Sequence, residues 1–226
     1  MALSKLNNDS FADTAVHGRR NLIINGAIQV AQRGTSDTTF GSGYSVDRMF
    51  LDQFSQTGDF HTYQQLSSDP PVGFTNYLRW QRNSGRTDTG AMRIYYTGES
   101  GYSDGIAGNK LTLSFYARSG SDYSGGSLQS MIVLGEGTNQ TRSSWANGNW
   151  TNQVNDSQNN TLTTSWQQFT HTLASAAGND VSQHALRFVW TPTGTAGTND
   201  YIEITGIQLE VGDKATPFEH RSYAEE

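Results

Sequence analysis

The 226-residue chain lacks cysteine, has only four prolines and carries no excess of positive charge. Without cysteine it has no disulfide framework, no thiolate zinc site and no cysteine nucleophile. Its 15 Lys and Arg against 21 Asp and Glu give a net charge of −6, which argues against binding nucleic acid or an anionic membrane through a basic face. No apolar run is long enough to span a membrane, and the first twenty residues lack the apolar segment of a signal peptide.

Neutral polar residues take the place of charges in this sequence. Charged residues make up 16% of the chain, whereas Thr, Ser, Asn, Gln and Gly together make up nearly half of it. Aromatic residues at 11% and recurrent β-branched runs argue against disorder. Such a composition suits a protein that works outside a cell, and it equally suits a surface that contacts sugars.

The pattern along the chain predicts an all-β fold. Over 110–118, apolar and polar residues alternate with a period of two, as in a strand with one buried face. Gly or Asn interrupts nearly every window long enough for a helix, and 135–163 is predicted to be a loop. Many short strands with turn signals and no helices indicate a jelly-roll β-sandwich. The predicted strands are 21–25, 28–33, 45–55, 59–66, 74–81, 91–97, 110–118, 128–134, 164–173, 184–191 and 200–210.

The last predicted strand contains a break in its alternation. Ile202 and Ile204 have one parity, whereas Ile207 and Leu209 have the other. A β-bulge at Gly206 would return both pairs to the same face of the sheet.

The first twenty residues differ from the remainder. Residues 1–20 are polar, lack the alternation of a strand and end at Gly18-Arg19-Arg20. We interpret them as an N-terminal docking arm outside the main core, the alternative being a frayed terminus. The predicted organisation is therefore a docking arm at 1–20 and a jelly-roll β-sandwich domain at 21–226.

Two stretches of the sequence carry a more specific signal. The first comprises RRNLIINGAIQVAQRG at 19–34, followed by YSVDRMF at 44–50. The second comprises ITGIQLEVG at 204–212, followed by ATPFEHRSY at 215–223. Together they resemble a family of tail-fibre-like phage virion proteins that is frequent in marine phages. That family is in turn similar to the jelly rolls of carbohydrate-binding modules.

The resemblance implies a jelly-roll fold and membership of a phage virion, and it implies no particular ligand. The first and last strands of a jelly roll can pair, so we expect the two stretches to meet. An Asn-Gly pair otherwise favours a hairpin turn. The family pattern makes Asn25-Gly26 an irregular strand start instead, so we expect a bulge or kink at Gly26.

No group of side chains in the sequence strongly indicates catalysis or metal binding. The five His lack the spacing of a zinc site, and we expect a packing or hydrogen-bonding role for His171. Asp47 with Asp52, or Asp200 with Glu203, could form the carboxylate pair of a glycosidase, but solvated acids, turn residues or ion pairs explain them more simply. We predict no enzymatic activity, catalytic residue, cofactor or metal ion, with a structural calcium near the opening strand as the alternative.

The best candidate for a ligand site is the loop at 143–152, with the sequence SSWANGNWTN. Sugars bind by laying a C–H face on an aromatic ring while amides bind their hydroxyls, and this segment supplies both groups. We therefore predict ligand binding by Trp145, Asn147, Asn149 and Trp150. The alternative is that one or both tryptophans pack back on the sandwich or on a neighbouring subunit.

These observations lead to one expectation of function and two alternatives. We expect a structural virion protein, a tail-fibre or appendage subunit made in the host cytoplasm and involved in host-surface attachment. The alternatives are a carbohydrate-binding module that recognises a host glycan and a polysaccharide depolymerase. By analogy with three-fold phage appendages we expect a homotrimer that contacts other virion proteins through 1–20, with no nucleic acid and no membrane insertion.

Overall fold

The residues described by the computed structural model are 20–54, 61–100, 103 and 105–222. The docking arm predicted at 1–20 lies outside them apart from Arg20, so the arm stays a prediction. No helix within the described residues is both long enough and apolar enough to cross a membrane.

Twelve strands and one short helix make up the described fold, and the predicted all-β jelly-roll β-sandwich is confirmed. The elements are β1 (Ser36–Phe40), β2 (Gly43–Tyr44), β3 (Phe50–Gln53), β4 (His61–Leu66), β5 (Tyr77–Arg82), β6 (Met92–Thr97), β7 (Leu111–Ser119), β8 (Leu128–Glu136), α1 (Arg142–Ala146), β9 (Thr151–Asn160), β10 (Gln167–Thr172), β11 (Gln183–Trp190) and β12 (Tyr201–Val211). Sheet A has the order β1-β4-β5-β12-β7-β10, and sheet B has the order β2-β3-β6-β11-β8-β9. All neighbouring strands are antiparallel, and from β5 onward the chain crosses between the sheets at nearly every connection.

The hydrophobic core fills the space between the two sheets. Leu111, Leu113, Phe115 and Ala117 of β7 are fully buried, as the alternation of the sequence predicts. The ring of Phe115 meets that of Phe188 in β11 at 4.9 Å between centroids, which joins sheet A to sheet B. Burying a side chain of this size contributes about 1.5–3 kcal/mol relative to leaving it in water.

The β-bulge expected at Gly206 is present. The register of β12 against β7 shifts between Thr205 and Gln208, and Gly206 has a φ of 62°, a conformation that glycine adopts without steric cost. The bulge therefore restores one inward face along β12. The apolar residues on that face, all fully buried in the core, are Ile202, Ile204, Ile207 and Leu209.

The opening segment forms a turn in place of the strands predicted at 21–25 and 28–33, which are wrong. Asn25 has a φ of 58°, and its side chain satisfies the backbone groups that a strand ladder would otherwise pair. Its Oδ1 accepts the N–H of Val30 at 2.9 Å, and its Nδ2 donates to the carbonyl of Val30 at 2.9 Å. A side chain that replaces ladder bonds in this way leaves no signal in hydrophobic alternation.

The two ends of the domain meet at the bulge, as predicted. The N–H of Leu22 donates to the carbonyl of Leu209 at 2.8 Å, and the N–H of Ile207 donates to the carbonyl of Gly26 at 2.9 Å. A Cβ at Gly26 would lie 2.1 Å from the carbonyl oxygen of Ile207, so only glycine permits this approach. The predicted kink at Gly26 is thus confirmed as part of a turn.

Helix α1 and strand β9 lie within 135–163, where the sequence predicts a loop. β9 consists of polar residues except Val154, which is 57% exposed, so β9 has no alternating core face. Backbone hydrogen bonds to β8 make it a strand, and hydrophobic periodicity does not detect strands of this kind. Strand β1 was missed for the same reason, since its residues are mostly exposed.

Candidate functional site

The two tryptophans of the predicted ligand site are buried. Thr141 caps helix α1 by accepting the N–H of Ser144, and the helix directs Trp145 onto the outer face of sheet B. The indoles of Trp145 and Trp150 are 2% and 3% exposed, and they form a second hydrophobic cluster with Tyr95. Neither ring offers a free face, so the alternative in which the tryptophans pack back on the sandwich describes the structure.

The two asparagines between them remain at the surface. The side-chain Nδ2 of Asn147 donates to the carbonyl of Ser143 at 2.9 Å, and the backbone N–H of Asn149 donates to the carbonyl of Ser144 at 2.9 Å. Both residues are exposed and stabilise the loop around α1. The exposed ring-and-amide platform that motivated the prediction is therefore not formed, and a ligand role for Asn147 and Asn149 stays a prediction.

A different aromatic surface lies on the outer face of sheet A, where the chain forms an open groove of about 710 Å³. We call it the sheet A groove. Side chains from four separate segments converge there, and none of the described residues that line it is Asp, Glu, Lys or Arg. The residues that line it are Val72, Gly73, Phe74, Tyr116, Gln168, Thr170, Ala215, Thr216, Pro217, Phe218 and His220.

The aromatic wall of the sheet A groove centres on Phe74. Its ring centroid lies 5.3 Å from Tyr116, 5.0 Å from Phe218 and 5.3 Å from His220. A Cβ at Gly206 would lie 2.5 Å from the Phe74 ring, so the bulge of β12 also makes room for this cluster. Phe74, Tyr116 and Phe218 are partly exposed, unlike the tryptophans on sheet B.

Buried hydrogen bonds hold the wall of the groove that carries Phe218. The carboxylate of Glu210, which is 1% exposed, accepts the N–H of Thr216 at 2.8 Å and the hydroxyl of Thr216 at 2.6 Å. The Oε1 of Gln208 accepts the N–H of Glu219 at 2.8 Å, and Glu219 in turn accepts the N–H of Asn21 at 2.6 Å. The segment 215–220 thus forms one wall of the groove, and Asn21 supports it through Glu219.

The polar side of the groove comes from β10. Gln168 lies opposite Tyr116 in the β10–β7 ladder, and Thr170 lies opposite Ser114. Gln168 and Thr170 are exposed on the same face as Tyr116. The groove therefore places amide and hydroxyl groups beside partly exposed rings. The sequence could not indicate this, because its parts lie in 72–74, 116, 168–170 and 215–220.

The carboxylates considered for glycosidase chemistry are all engaged in other contacts. Asp200 is fully buried and accepts from Nη1 of Arg82 at 2.8 Å. Glu203 is also fully buried and binds two guanidiniums, that of Arg79 at 2.7 Å and that of Arg118. Neither has an oxygen directed at the sheet A groove, because neither residue lines it.

The other pair, Asp47 and Asp52, is likewise accounted for by local contacts. The Oδ2 of Asp47 accepts the backbone N–H of Gln32 at 2.7 Å, so this residue fixes the loop before β3. Asp52 lies in β3 with an oxygen 4.0 Å from Nη1 of Arg93. Asp47 precedes the strand that carries Asp52, so the two do not share one strand as the sequence suggested.

Three buried histidines serve the fold. His171 is 2% exposed and its Nε2 lies 3.1 Å from Oδ1 of Asp156, which confirms its packing and hydrogen-bonding role. Burial lowers the pKa of His61 to about 4 and that of His184 to about 4, so both are neutral at pH 7. Within the described part of the chain, no three His, Asp or Glu side chains are grouped to hold a metal ion.

The chain matches no protein-family model, and no curated protein resembles it in sequence. Its fold is similar to solved β-sandwiches. The enzymatically active domain of tailspike protein 4 of bacteriophage CBA120 aligns with a TM-score of 0.52 at 11% identity, over 85% of this chain and 21% of that chain. A CBM4 structure aligns at 0.44 and 18% identity over 84% and 99% of the two chains. TmCBM61 in complex with beta-1,4-galactotriose aligns at 0.46 and 10% identity over 86% and 100%.

The present chain thus spans about a fifth of the tailspike chain to which it is similar. At these identities the likeness is one of fold. The chain is a jelly-roll β-sandwich similar in architecture to a phage tailspike domain, and none of these matches specifies the tail-fibre family that the sequence resembles.

Proposed function

We propose that this chain is a carbohydrate-binding β-sandwich of a phage appendage, and that a neutral stretch of a host-surface glycan lies in the sheet A groove. The observation that carries the proposal is an open groove of about 710 Å³ with an aromatic wall and a polar side. This volume lies within the range of about 300–1,000 Å³ that small-ligand sites occupy.

The chemistry of the groove matches that of a sugar. A pyranose has an apolar C–H face that packs on an aromatic ring, and Tyr116 and Phe218 supply partly exposed rings. Its hydroxyls need donors and acceptors, and Gln168 and Thr170 supply both. Because the lining contains no carboxylate and no basic side chain other than His220, it favours a neutral saccharide.

We further propose that the chain binds without cleaving. Glycoside hydrolysis requires two carboxyl groups that flank the scissile bond. The described groove has none in its lining, and Asp200 and Glu203 are buried in ion pairs. A depolymerase is therefore the less supported alternative.

The place of the chain in a virion belongs to the same proposal. It is supported by the resemblance of the two terminal stretches to phage virion proteins, and the tailspike likeness is compatible with it as a likeness of fold.

A homotrimer would present three copies of a shallow groove at one tip, and such multivalency raises binding by about 10²–10⁴ without improving a single site. Light scattering tests this part, because a monomer near 24.8 kDa at high concentration would contradict it.

Binding to an array of bacterial surface polysaccharides tests the proposed site, followed by titration calorimetry on any glycan that binds. We expect Tyr116→Ala and Phe218→Ala to weaken binding about tenfold or more, because each removes a ring worth about 1.5–3 kcal/mol when covered. Tyr116→Phe keeps the ring and should retain most of the affinity. Tyr201→Ala is the matched control, since Tyr201 is partly exposed on β12 of sheet A and does not line the groove.

Two outcomes would contradict the proposal. If wild type binds no glycan while the groove variants change the mass of the assembly, the groove is an interface of a structural subunit. If wild type releases reducing sugar from a polysaccharide, the chain is a depolymerase, and replacement of each acid in turn would locate its catalytic residues.

A further inference from the structure

The outer face of sheet B carries a concentration of arginines around one tyrosine. Tyr95 faces outward, because its neighbours Ile94 and Tyr96 belong to the core. Nη1 of Arg93 donates to the hydroxyl of Tyr95 at 3.2 Å, and Cζ of Arg142 lies 5.4 Å from its ring centroid.

The third arginine, Arg187, is directly opposite Tyr95 in the β11–β6 ladder. We call Arg93, Arg142 and Arg187 the arginine patch. Three guanidiniums around one ring stand out in a chain of net charge −6.

The described residues supply little negative charge to this patch. Asp52 is its nearby carboxylate, at 4.0 Å from Nη1 of Arg93. Among the described residues, the guanidiniums of Arg142 and Arg187 find no hydrogen-bond acceptor and no carboxylate partner, and Nε of Arg187 is enclosed by protein without a partner. Burial lowers the pKa of Arg187; the proximity of Tyr95 raises it, and the positive charge of Arg93 lowers it. Among the described residues, the patch therefore holds three like charges together beside a single carboxylate, that of Asp52.

The surroundings of the patch are suited to a sugar. Cζ of Arg142 lies 3.8 Å from the ring centroid of Phe50, whose other neighbour Tyr44 is 46% exposed. In the β8–β9 ladder, exposed Ser157 and Asn159 continue the same face beyond Arg187. Hydroxyl and amide groups thus border the guanidiniums on one side, and aromatic rings border them on the other.

We propose that the arginine patch binds the oxyanion of an acidic saccharide, either a uronate carboxylate or a sulfate ester. A guanidinium presents a planar fork of donors that matches either group bidentately. The hydroxyls and amides of β9 would then contact the neighbouring sugar hydroxyls. This site lies on the opposite sheet from the sheet A groove and does not depend on it.

Titration calorimetry with tetragalacturonate, a sulfated tetrasaccharide and neutral cellotetraose tests the proposal. We expect an acidic probe to bind, cellotetraose to leave the patch unoccupied, and the affinity to fall as salt rises past about 0.1 M, where charges are screened within about 10 Å. Arg142→Gln and Arg187→Gln should each weaken binding of the acidic probe about tenfold or more, because a hydrogen bond to a charged group is lost.

Arg86→Gln is the matched control, because it removes the same charge from an arginine paired with Asp88 in the β5–β6 connection. It should bind the acidic probe as wild type does. Thermal denaturation of all three variants identifies any loss of binding that comes from unfolding, and Arg142→Lys separates charge from the bidentate fork, since it should restore only part of the affinity.

The outcomes distinguish the two sources of the oxyanion. Preference for tetragalacturonate supports a carboxylate, and preference for the sulfated probe supports a sulfate. The proposal is overturned if neither acidic probe binds, or if folded Arg142→Gln and Arg187→Gln bind as tightly as wild type. It is also overturned if these variants change only the mass in light scattering, because the patch would then contact a protein.

The Tyr116→Ala variant should bind the acidic probe as wild type does. A result that contradicts glycan binding in the sheet A groove therefore leaves this test intact.

Discussion

The outer face of sheet B covers its tryptophans, whereas the outer face of sheet A leaves its aromatic rings open in a groove. On sheet B, the α1 loop places Trp145 and Trp150 at 2% and 3% exposure. On sheet A, Phe74, Tyr116 and Phe218 stay partly exposed beside a volume of about 710 Å³. Aromatic residues in a loop thus stabilise one face, and aromatic residues from distant segments form the candidate site on the other.

Residue type alone therefore does not distinguish an aromatic side chain that is open to a ligand from one that packs in the fold. Trp145 has its indole N–H satisfied by the hydroxyl of Thr97 at 2.9 Å and packs against Tyr95 at 5.2 Å between centroids. A ring so enclosed has no face left for a ligand. The following predictions test whether the two faces really divide stability from binding.

The largest effect is expected from Trp145→Ala. The substitution should lower the free energy of unfolding by about 3–5 kcal/mol, as for other buried aromatics, because it leaves a cavity under α1. A melting temperature lower by about 2–4 °C per kcal/mol is the scale for a chain of this size. The affinity of the folded variant for a neutral glycan should match wild type, because Trp145 does not line the sheet A groove. Lost affinity for the neutral glycan in a folded Trp145→Ala variant would place the neutral-glycan site on sheet B.

The next effect is the loss of stability in acid, which should reach both sheets. His61 lies in β4 of sheet A and His184 in β11 of sheet B, and burial lowers the pKa of each from 6.5 to about 4. Between these pH values the unfolded chain binds protons that the folded chain does not, so stability falls as the pH falls from 6.5 to 4. The contribution is about 3 kcal/mol for each histidine.

Urea unfolding at pH 7 and pH 4.5 measures this loss. His61→Gln and His184→Gln should each reduce the pH dependence of the free energy of unfolding. The size of each reduction gives the contribution of that histidine. An unchanged dependence in both variants would mean that other groups titrate on unfolding.

A smaller effect on stability is expected from Tyr116→Ala, with Phe115→Ala as its matched control. The two residues are adjacent in β7, but Phe115 is fully buried in the core and Tyr116 is partly exposed in the groove. Phe115→Ala should cost about 3–5 kcal/mol and Tyr116→Ala about 1 kcal/mol or less. Equal costs in chemical denaturation of the monomer would show that the Tyr116 ring is as fully packed as that of Phe115.

The smallest effect is expected from deleting residues 1–18. The sequence there has no core pattern, so the truncated chain should melt at the same temperature as the full chain while failing to enter the virion. Calorimetry and incorporation into particles measure the two quantities separately. A melting temperature many degrees lower would show that the arm packs against the sandwich and contributes to its stability.

Several features of the fold could be predicted from the sequence because they depend on near neighbours. The alternation over 110–118 follows from the pleat of a strand, and β7 is observed at Leu111–Ser119. The bulge at Gly206 follows from the change of parity between two pairs of isoleucine and leucine residues. The turn at 24–27 includes Asn25-Gly26, a pair that favours a turn by itself, whereas the kink at Gly26 is expected from the family resemblance.

Other features could not be predicted because their signals are not local. Strand β9 is held by hydrogen bonds to β8 and buries little, so its polar sequence reads as a loop. The turn at Asn25 is held in part by a hydrogen bond from its Nδ2 to the carbonyl of Asp47, 22 residues along the chain. Hydrogen bonds of this kind form only when the fold brings the partner segment next to the strand or turn.

The sequence alone was enough to predict an all-β sandwich with a bulge in its last strand, because periodicity and glycine conformation act within a few residues. Which aromatic residues are open to a ligand depends instead on the tertiary structure. Trp145 and Trp150 are neighbours in sequence but are covered by their own loop. Phe74, Tyr116 and Phe218 are far apart in sequence. Sheet A and the segment 215–220, which is hydrogen-bonded to Glu210, bring them together in one groove. Exposure depends on what packs above a ring, and that is set by contacts between distant parts of the chain.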